Sequence, residues 1–235
     1  MNAPQSPPIS LNNKDKDTQN LNGKKVAVLH TQVIREMTPQ LPEPQPPEAV
    51  DYAKILANAR VKPTDKIDEA PIYLTIEKEG TVSIIGTEGN ISAVTGRAKA
   101  KKTFIVSVAV AAAVAGISVL NKIKGTLPNE KKTVLLFDTE QSKHHVLKVV
   151  RRICRLCGID DPPNLEVYSL RPYAPNDRLK VIDYAIKQTA ELGLVIIDGI
   201  RDLAVDPILD SEQASHIITH LLQWTDQLNI HIMCV

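Results

Sequence analysis

Gly96, Lys102 and Thr103 lie in one short stretch, Gly96-Arg97-Ala98-Lys99-Ala100-Lys101-Lys102-Thr103, whose residue types suit the holding of phosphate. The P-loop pattern is G-x-x-x-x-G-K-[ST]. Its backbone amides cradle phosphates, its lysine reaches the β- and γ-phosphates, and its hydroxyl meets Mg²⁺. The stretch keeps the first glycine, the lysine and the hydroxyl, but Lys101 stands where the second glycine belongs. A glycine there lets the backbone wrap closely around its ligand. The Lys101 side chain either points outward and adds positive charge, or impairs the loop. With Phe104, residues Gly96–Phe104 form the candidate nucleotide-binding segment.

Two apolar runs downstream end in acids. Val134-Leu135-Leu136-Phe137 runs into Asp138-Thr139-Glu140, and Leu194-Val195-Ile196-Ile197 runs into Asp198. Four apolar residues followed by a carboxylate describe a strand buried on both faces, with the acid emerging to hold hydrated Mg²⁺. Each feature also has a plain structural explanation. Acids end strands as turn formers, Asp138 and Glu140 also read as surface groups, and Arg97–Lys102 also reads as a solvated turn or nucleic-acid patch. Their shared order, each at a strand end, favours one nucleotide site.

The elements that must position these groups follow from periodicity. Ile72, Leu74 and Ile76 alternate with polar residues, and Val82–Ile85 returns as the second strand of a hairpin. Gly86–Gly89 turns the chain into strand Ile91–Thr95, ahead of the phosphate loop. A helix is predicted from Thr103 to about Lys122, then a Gly125–Asn129 turn and strand Thr133–Asp138. Helix His145–Cys157 stops at Gly158, a good left-handed terminator. Strand Leu165–Leu170 leads to a helix capped by Asn176 and running to about Glu191. Strand Leu194–Asp198 precedes a helix capped at Asp210 with Gln213 at its third position, and strand Ile230–Val235 follows. Strands separated by helices imply right-handed parallel crossovers, hence an α/β fold with a mostly parallel sheet flanked by helices and preceded by a β-hairpin. Ligands of such sheets sit at the C-terminal ends of the strands.

Composition bounds the rest. A net charge of +1 over 235 residues gives no global basic field for nucleic acid, so such a site must be a local patch. Three cysteines and a polar start without an apolar leader point to a reducing, cytoplasmic setting. The uncharged run Phe104–Leu120 is shorter than the roughly 20 residues a membrane span needs, and its alanines suit a helix pressed onto a sheet. Half of the 16 prolines fall before residue 48, so 1–47 is expected to be a disordered tail. Glu48–Val61 reads as a short helix within a linker, 48–70, ahead of a domain over 71–235. The chain stops on a buried-type strand, which reads as a fold truncated at its C-terminus.

Gly96–Thr103, Asp138-Thr139-Glu140 and Val195-Ile196-Ile197-Asp198 together resemble the core of RecA-type ATPases. Among these they are similar to the DnaB-like and plasmid RepA-like helicases and related ATPases of bacterial plasmids and mobile elements. The resemblance covers roughly Pro71–Val235. It implies ATP and Mg²⁺ as cofactors, a homo-oligomeric ring, DNA as partner, and work in plasmid or mobile-element replication. By motif position it makes Glu140 the catalytic carboxylate, Lys102 the phosphate lysine, Thr103 a Mg²⁺ ligand and Asp198 the Walker B carboxylate. It also places the polar sensor and the trans-acting arginine beyond Val235.

Cys154 and Cys157 have C-x₂-C spacing but lie among Val146, Val149, Val150 and Ile153, which favours core packing over zinc. His144 and His145 read as a solvated helix start, and Arg151, Arg152 and Arg155 as a solvated helix face ahead of a DNA site. Arg201 and Asp202 follow the second acidic strand without a definite role. Two other functions stay open. One is a non-hydrolysing nucleotide-sensing or DNA-binding module, with aromatics at 3% leaving little for base stacking. The other is a kinase-like phosphoryl transferase, for which no acceptor pocket or lid is recognisable.

Overall fold

The computed structural model describes residues 18–21, 24–27, 50–97, 100–205 and 211–235. Its contacts divide the chain into two units, Met1–Asp65 and Lys66–Val235. In the first, strands β1 (Thr18–Leu21) and β2 (Lys24–Ala27) pair antiparallel within the stretch expected to be disordered; the rest of 1–47 lies outside the described residues. Helix α1 (Tyr52–Ala59) starts where the Asp51 carboxylate accepts the Lys54 amide at 3.0 Å. It buries none of its residues and is shorter than the predicted Glu48–Val61.

The second unit holds two sheets. Strands β3 (Ile72–Lys78) and β4 (Thr81–Thr87) form the predicted hairpin. After β5 (Ile91–Ala93) comes helix α2 (Lys102–Ala115). The prediction of a helix to Lys122 is corrected here. Gly116 adopts φ +65 and ends α2, and the chain forms a second small hairpin, β6 (Ser118–Val119) and β7 (Ile123–Gly125). β7 pairs with β3, giving the antiparallel order β4-β3-β7-β6. The cause is packing. Val119 and Ile123 are buried, and a Cβ on Gly125 would lie 2.1 Å from the Ala112 carbonyl oxygen. Backbone thus lies directly on α2, which explains why Val106–Val114 is valine, alanine and serine, buried all round. Among the described residues no helix is long and apolar enough to cross a membrane.

The remaining strands are β8 (Thr133–Asp138), β9 (Leu165–Ser169), β10 (Leu192–Asp198) and β11 (His231–Cys234). They join β5 in a five-stranded, wholly parallel sheet of order β5-β11-β10-β8-β9. The helices between them are α3 (Lys143–Cys157), α4 (Pro175–Gln188) and α5 (Ser211–Leu228). The predicted Asn176 cap is corrected: Ala174 is the N-cap, and Pro175 opens α4, where its missing N–H would have no partner in any case. Asp210 lies outside the described residues.

Alternation along the parallel strands creates two cores. Val134, Leu136, Leu194, Ile196 and Met233 pack with α2 and α3, while Leu135, Phe137, Val195, Ile197 and Ile232 pack with α4 and α5. Cys157 joins the first core beside Val149 and Ile153. Truncating any of the buried leucines or isoleucines among these to alanine costs about 2–5 kcal/mol. This layering also fixes the site. Asp138 and Asp198 continue the even-numbered series of β8 and β10, so both face the side covered by α2.

Candidate nucleotide site

β8 and β10 are in register at their ends, with Asp198 opposite Asp138. α2 begins over that edge and brings the start of its first turn to the two acids. There the Thr103 hydroxyl donates to Asp198 Oδ2 at 3.2 Å, across 95 residues of sequence. Lys102 and Glu140 line one cleft of about 540 Å³, together with Gly96, Gly199, Arg201 and Asp202. The predicted phosphate lysine, hydroxyl, Walker B acid and strand-tip glutamate are therefore brought together.

The neighbouring predictions divide. Gly96 is exposed, and a Cβ there would lie 3.2 Å from the Ala100 Cβ of the same turn. Ala100 donates its amide to the Arg97 carbonyl at 3.1 Å, and both residues are exposed. Ala98 and Lys99 lie outside the described residues. Phe104 turns away from the cleft, with the Arg152 guanidinium of α3 5.8 Å from its ring centre. Lys101 takes up the left-handed conformation, φ +58 and ψ +32, as the N-cap of α2. This is the backbone geometry that glycine supplies without steric cost, and the Lys101 side chain is exposed.

The acids form a buried centre. Asp198 is 5% exposed and Asp138 3%. Burial, then the neighbouring Asp138, lifts the Asp198 carboxyl to about 6, with Glu140 adding to the rise and Thr103 and Lys102 opposing it. Burial also raises the Asp138 carboxyl. Asp138 is held by the amides of Glu140 at 3.1 Å and Gln141 at 2.7 Å, and by the Gln141 side-chain amide at 2.7 Å. It therefore shapes the turn that presents Glu140. Among the described residues none of these three acids forms an ion pair. A hydroxyl and a carboxylate in contact, within buried acidity that lacks a paired cation, match the hard oxygen ligands Mg²⁺ takes. The chain's own residues fit that ion.

Thr139 was not singled out from sequence. Its hydroxyl lies 2.8 Å from the Gly199 carbonyl oxygen, 3.0 Å from Asp202 Oδ2 and 3.1 Å from the Asp198 carbonyl oxygen. Its amide donates to the Asp198 carbonyl at 3.0 Å. The tips of β8 and β10 are thereby tied together. Gly199, at φ +99, packs against this link, and a Cβ there would lie 2.2 Å from the Thr139 hydroxyl oxygen.

A larger hollow of about 770 Å³ opens beside β5, lined by Ile84, Ile91, Ile105 and His231. There His231 Nε2 lies 2.9 Å from Ser92 Oγ, and its Nδ1 lies 2.9 Å from the Thr87 carbonyl oxygen. Burial lowers the imidazole's pKa, and a buried neutral ring bridging β4, β5 and β11 is a structural pin. Among the described residues its ring nitrogens meet Ser92 and a carbonyl and no carboxylate, so it lacks the third member of a nucleophilic triad.

No curated protein matches the chain. A family model described as the AAA domain matches residues 84–235. That span starts within β4 and takes in the phosphate loop, both acidic strand ends and every helix from α2 onward. It is more than half the chain, and on this ground the protein belongs to the AAA domain family of P-loop ATPases.

Proposed function

We propose that this chain binds ATP in the Gly96–Asp202 cleft and hydrolyses it, as the motor of an oligomeric, DNA-acting ATPase of the RecA-like helicase kind. The carrying observation is the 3.2 Å contact of Thr103 with Asp198 beside a cleft lined by Lys102 and Glu140. In this reading the Lys102 ammonium binds the β- and γ-phosphate oxygens, and Thr103 and Asp198 hold the metal. Mg²⁺, when bound, neutralises charge developing on the phosphates. Glu140 orients the attacking water and takes its proton as the new O–P bond forms and the bond to the departing diphosphate breaks. Asp138 keeps the Glu140 turn in place, and Thr139 keeps that turn level with the β10 tip. The ring, the DNA partner and the plasmid or mobile-element setting come from the sequence resemblance, and the cytoplasmic location from the three cysteines.

The test is ATP turnover by the full chain against Lys102→Ala and Glu140→Gln. Loss in both supports the assignment, and undiminished turnover in both overturns it. Stimulation by DNA and strand separation test the helicase part. One observation favours a second reading. Lys101 keeps the left-handed backbone but adds a side chain where the P-loop pattern has glycine, and an altered loop of that kind suits nucleotide binding without completed hydrolysis. Nucleotide binding with no turnover, with or without DNA, selects that reading.

A further inference from the structure

Helix α3 carries a charge pattern that the nucleotide site does not use. Its sequence, Lys143–Cys157, contains five lysines and arginines and no acidic residue. The whole chain, in contrast, balances 28 basic against 27 acidic residues. The buried residues Val146, Val149, Ile153 and Cys157 define the inward face. At about 100° per residue, His144, Lys148, Arg151 and Arg155 fall within roughly 60° of one another on the opposite side. All four are exposed. The row runs about 16 Å along the helix at 1.5 Å per residue.

The fold does not engage this row internally. Among the described residues the ion pairs are Lys132–Glu191 and Lys187–Asp183, and neither involves α3. The basic residue that α3 does use for structure is Arg152. It is half-buried, donates to the Ser107 hydroxyl at 3.3 Å and covers Phe104. The flanking acids, Glu140 ahead of the helix and Asp160 and Asp161 beyond Gly158, lie outside α3 and do not interrupt the row. Like charges along one helix face repel, so without an anion the row destabilises α3 slightly. A polyanion with regularly spaced charges removes that cost and releases its counterions.

We propose that the outward face of α3, through Lys148, Arg151 and Arg155, is a binding surface for the phosphodiester backbone of nucleic acid. The inference rests on the DNA-acting reading for its biological sense, but its chemistry is separate from ATP hydrolysis. The row's one ring is the His144 imidazole at its end, edge-on to His145, and its only possible acceptors are that ring's nitrogens. Binding is therefore to phosphates and independent of sequence. It is distinct from the phosphate loop, whose cations serve the nucleotide.

The experiment uses the full chain and a fluorescein-labelled DNA duplex, with anisotropy read across a salt series at saturating ATP analogue and Mg²⁺. The variant Lys148→Ala/Arg151→Ala/Arg155→Ala keeps good helix formers outside the core, so circular dichroism and ATP turnover stay those of the parent. Expected is at least about a tenfold loss of affinity, and a slope of log K against log salt shallower by roughly 2–3. Lys148→Arg/Arg151→Lys/Arg155→Lys retains binding. An unchanged slope and affinity in the alanine variant overturns the inference, as does a parent chain that binds no duplex. Binding to vesicles of anionic lipid in place of DNA, lost in the same variant, also overturns it in favour of a membrane surface. Failure of the ATPase reading appears separately, as absent turnover in a chain that still binds DNA through α3.

Discussion

The Thr103 hydroxyl donates to the Asp198 carboxylate at 3.2 Å, linking the first turn of α2 to the tip of β10. The acceptor is a carboxylate in a dry place, flanked by Asp138 in the next strand and by Glu140 at the cleft. One hydroxyl and a nearby ammonium offset only part of that cost. Asp198 is thus unfavourable for the empty fold and, on the proposed reading, favourable once a divalent cation arrives.

That conflict has a measurable pH signature. The folded carboxyl titrates near 6, above its ordinary 3.8. A raised pKa means the native state binds more protons than the unfolded state between those values. The associated stability is fully present below about pH 4 and is lost as pH rises through 6. Asp198→Asn should therefore stabilise the nucleotide-free protein at pH 7.5, by on the order of 2 kcal/mol. At this size that is a gain of about 4–8 °C in Tm. The same variant should lose the stabilisation that Mg²⁺ with ATP analogue gives the parent. Thermal unfolding at several pH values, with and without ligand, checks both. A lower Tm in the nucleotide-free variant would remove the buried-charge argument.

Lys101 offers a second test, because its backbone rather than its side chain is unusual. A non-glycine residue in the left-handed region costs about 1–2 kcal/mol, partly offset by the extra unfolded-state freedom of glycine. Lys101→Gly restores the P-loop pattern and should gain about 1 kcal/mol in stability while keeping or improving nucleotide affinity. Lys101→Val, β-branched at the same φ of +58, should lose more than that. If Lys101→Gly weakens nucleotide binding, the lysine side chain is itself a ligand contact. Equilibrium unfolding and a fluorescent-nucleotide titration separate the two cases.

The parts of the fold that were readable from sequence are those whose signal is local. β8 and β10 are uninterrupted apolar runs closed by aspartate, and α3 has a clean apolar face stopped by Gly158. Their register, which sets Asp138 beside Asp198, follows from two such runs ending in the same way. The β6–β7 hairpin was not readable for the opposite reason. Its main pairing, Leu74 with Gly125, spans some fifty residues, and the preceding alanine-rich run has no polar face to mark where the helix stops. The Thr139 link was equally hidden, because threonine after a strand end is common and its partners come from another strand. Lys101 read as a broken motif position; its left-handed backbone shows that the loop keeps the glycine conformation without the glycine.

Glu140 is the exposed member of the acidic group and the one that lines the cleft. Glu140→Gln keeps its size and should leave nucleotide affinity within about twofold while lowering kcat by about 10²–10⁴. Lys102→Ala should lower affinity as well as rate, because on the proposed reading it removes a charge that meets ATP in the ground state. A split of this kind between binding and turnover, in direct titration and steady-state assays, distinguishes the two roles. Equal losses of binding in both variants would mean that Glu140 shapes the cleft rather than acting on water.

Gly199 tests whether the strand tips must stay tied. Its φ of +99 is strained for any side chain, and an added Cβ would lie 2.2 Å from the Thr139 hydroxyl and 3.0 Å from Asp202 Oδ2. Gly199→Ala should cost about 3 kcal/mol or more, from strain together with the clash. Thr139→Ala alone should cost about 1–2 kcal/mol, the loss of a donor to buried acceptors. In the double variant the hydroxyl that causes the clash is gone, and the remaining Thr139 Cβ is 3.6 Å from the new methyl position, an ordinary contact. The two changes should therefore combine to less than their sum, by about 1 kcal/mol or more, in a double-mutant cycle of unfolding free energies. Simple additivity would show that the Thr139 hydroxyl does not hold the β10 tip, and that the bond network between the two strands carries no coupling.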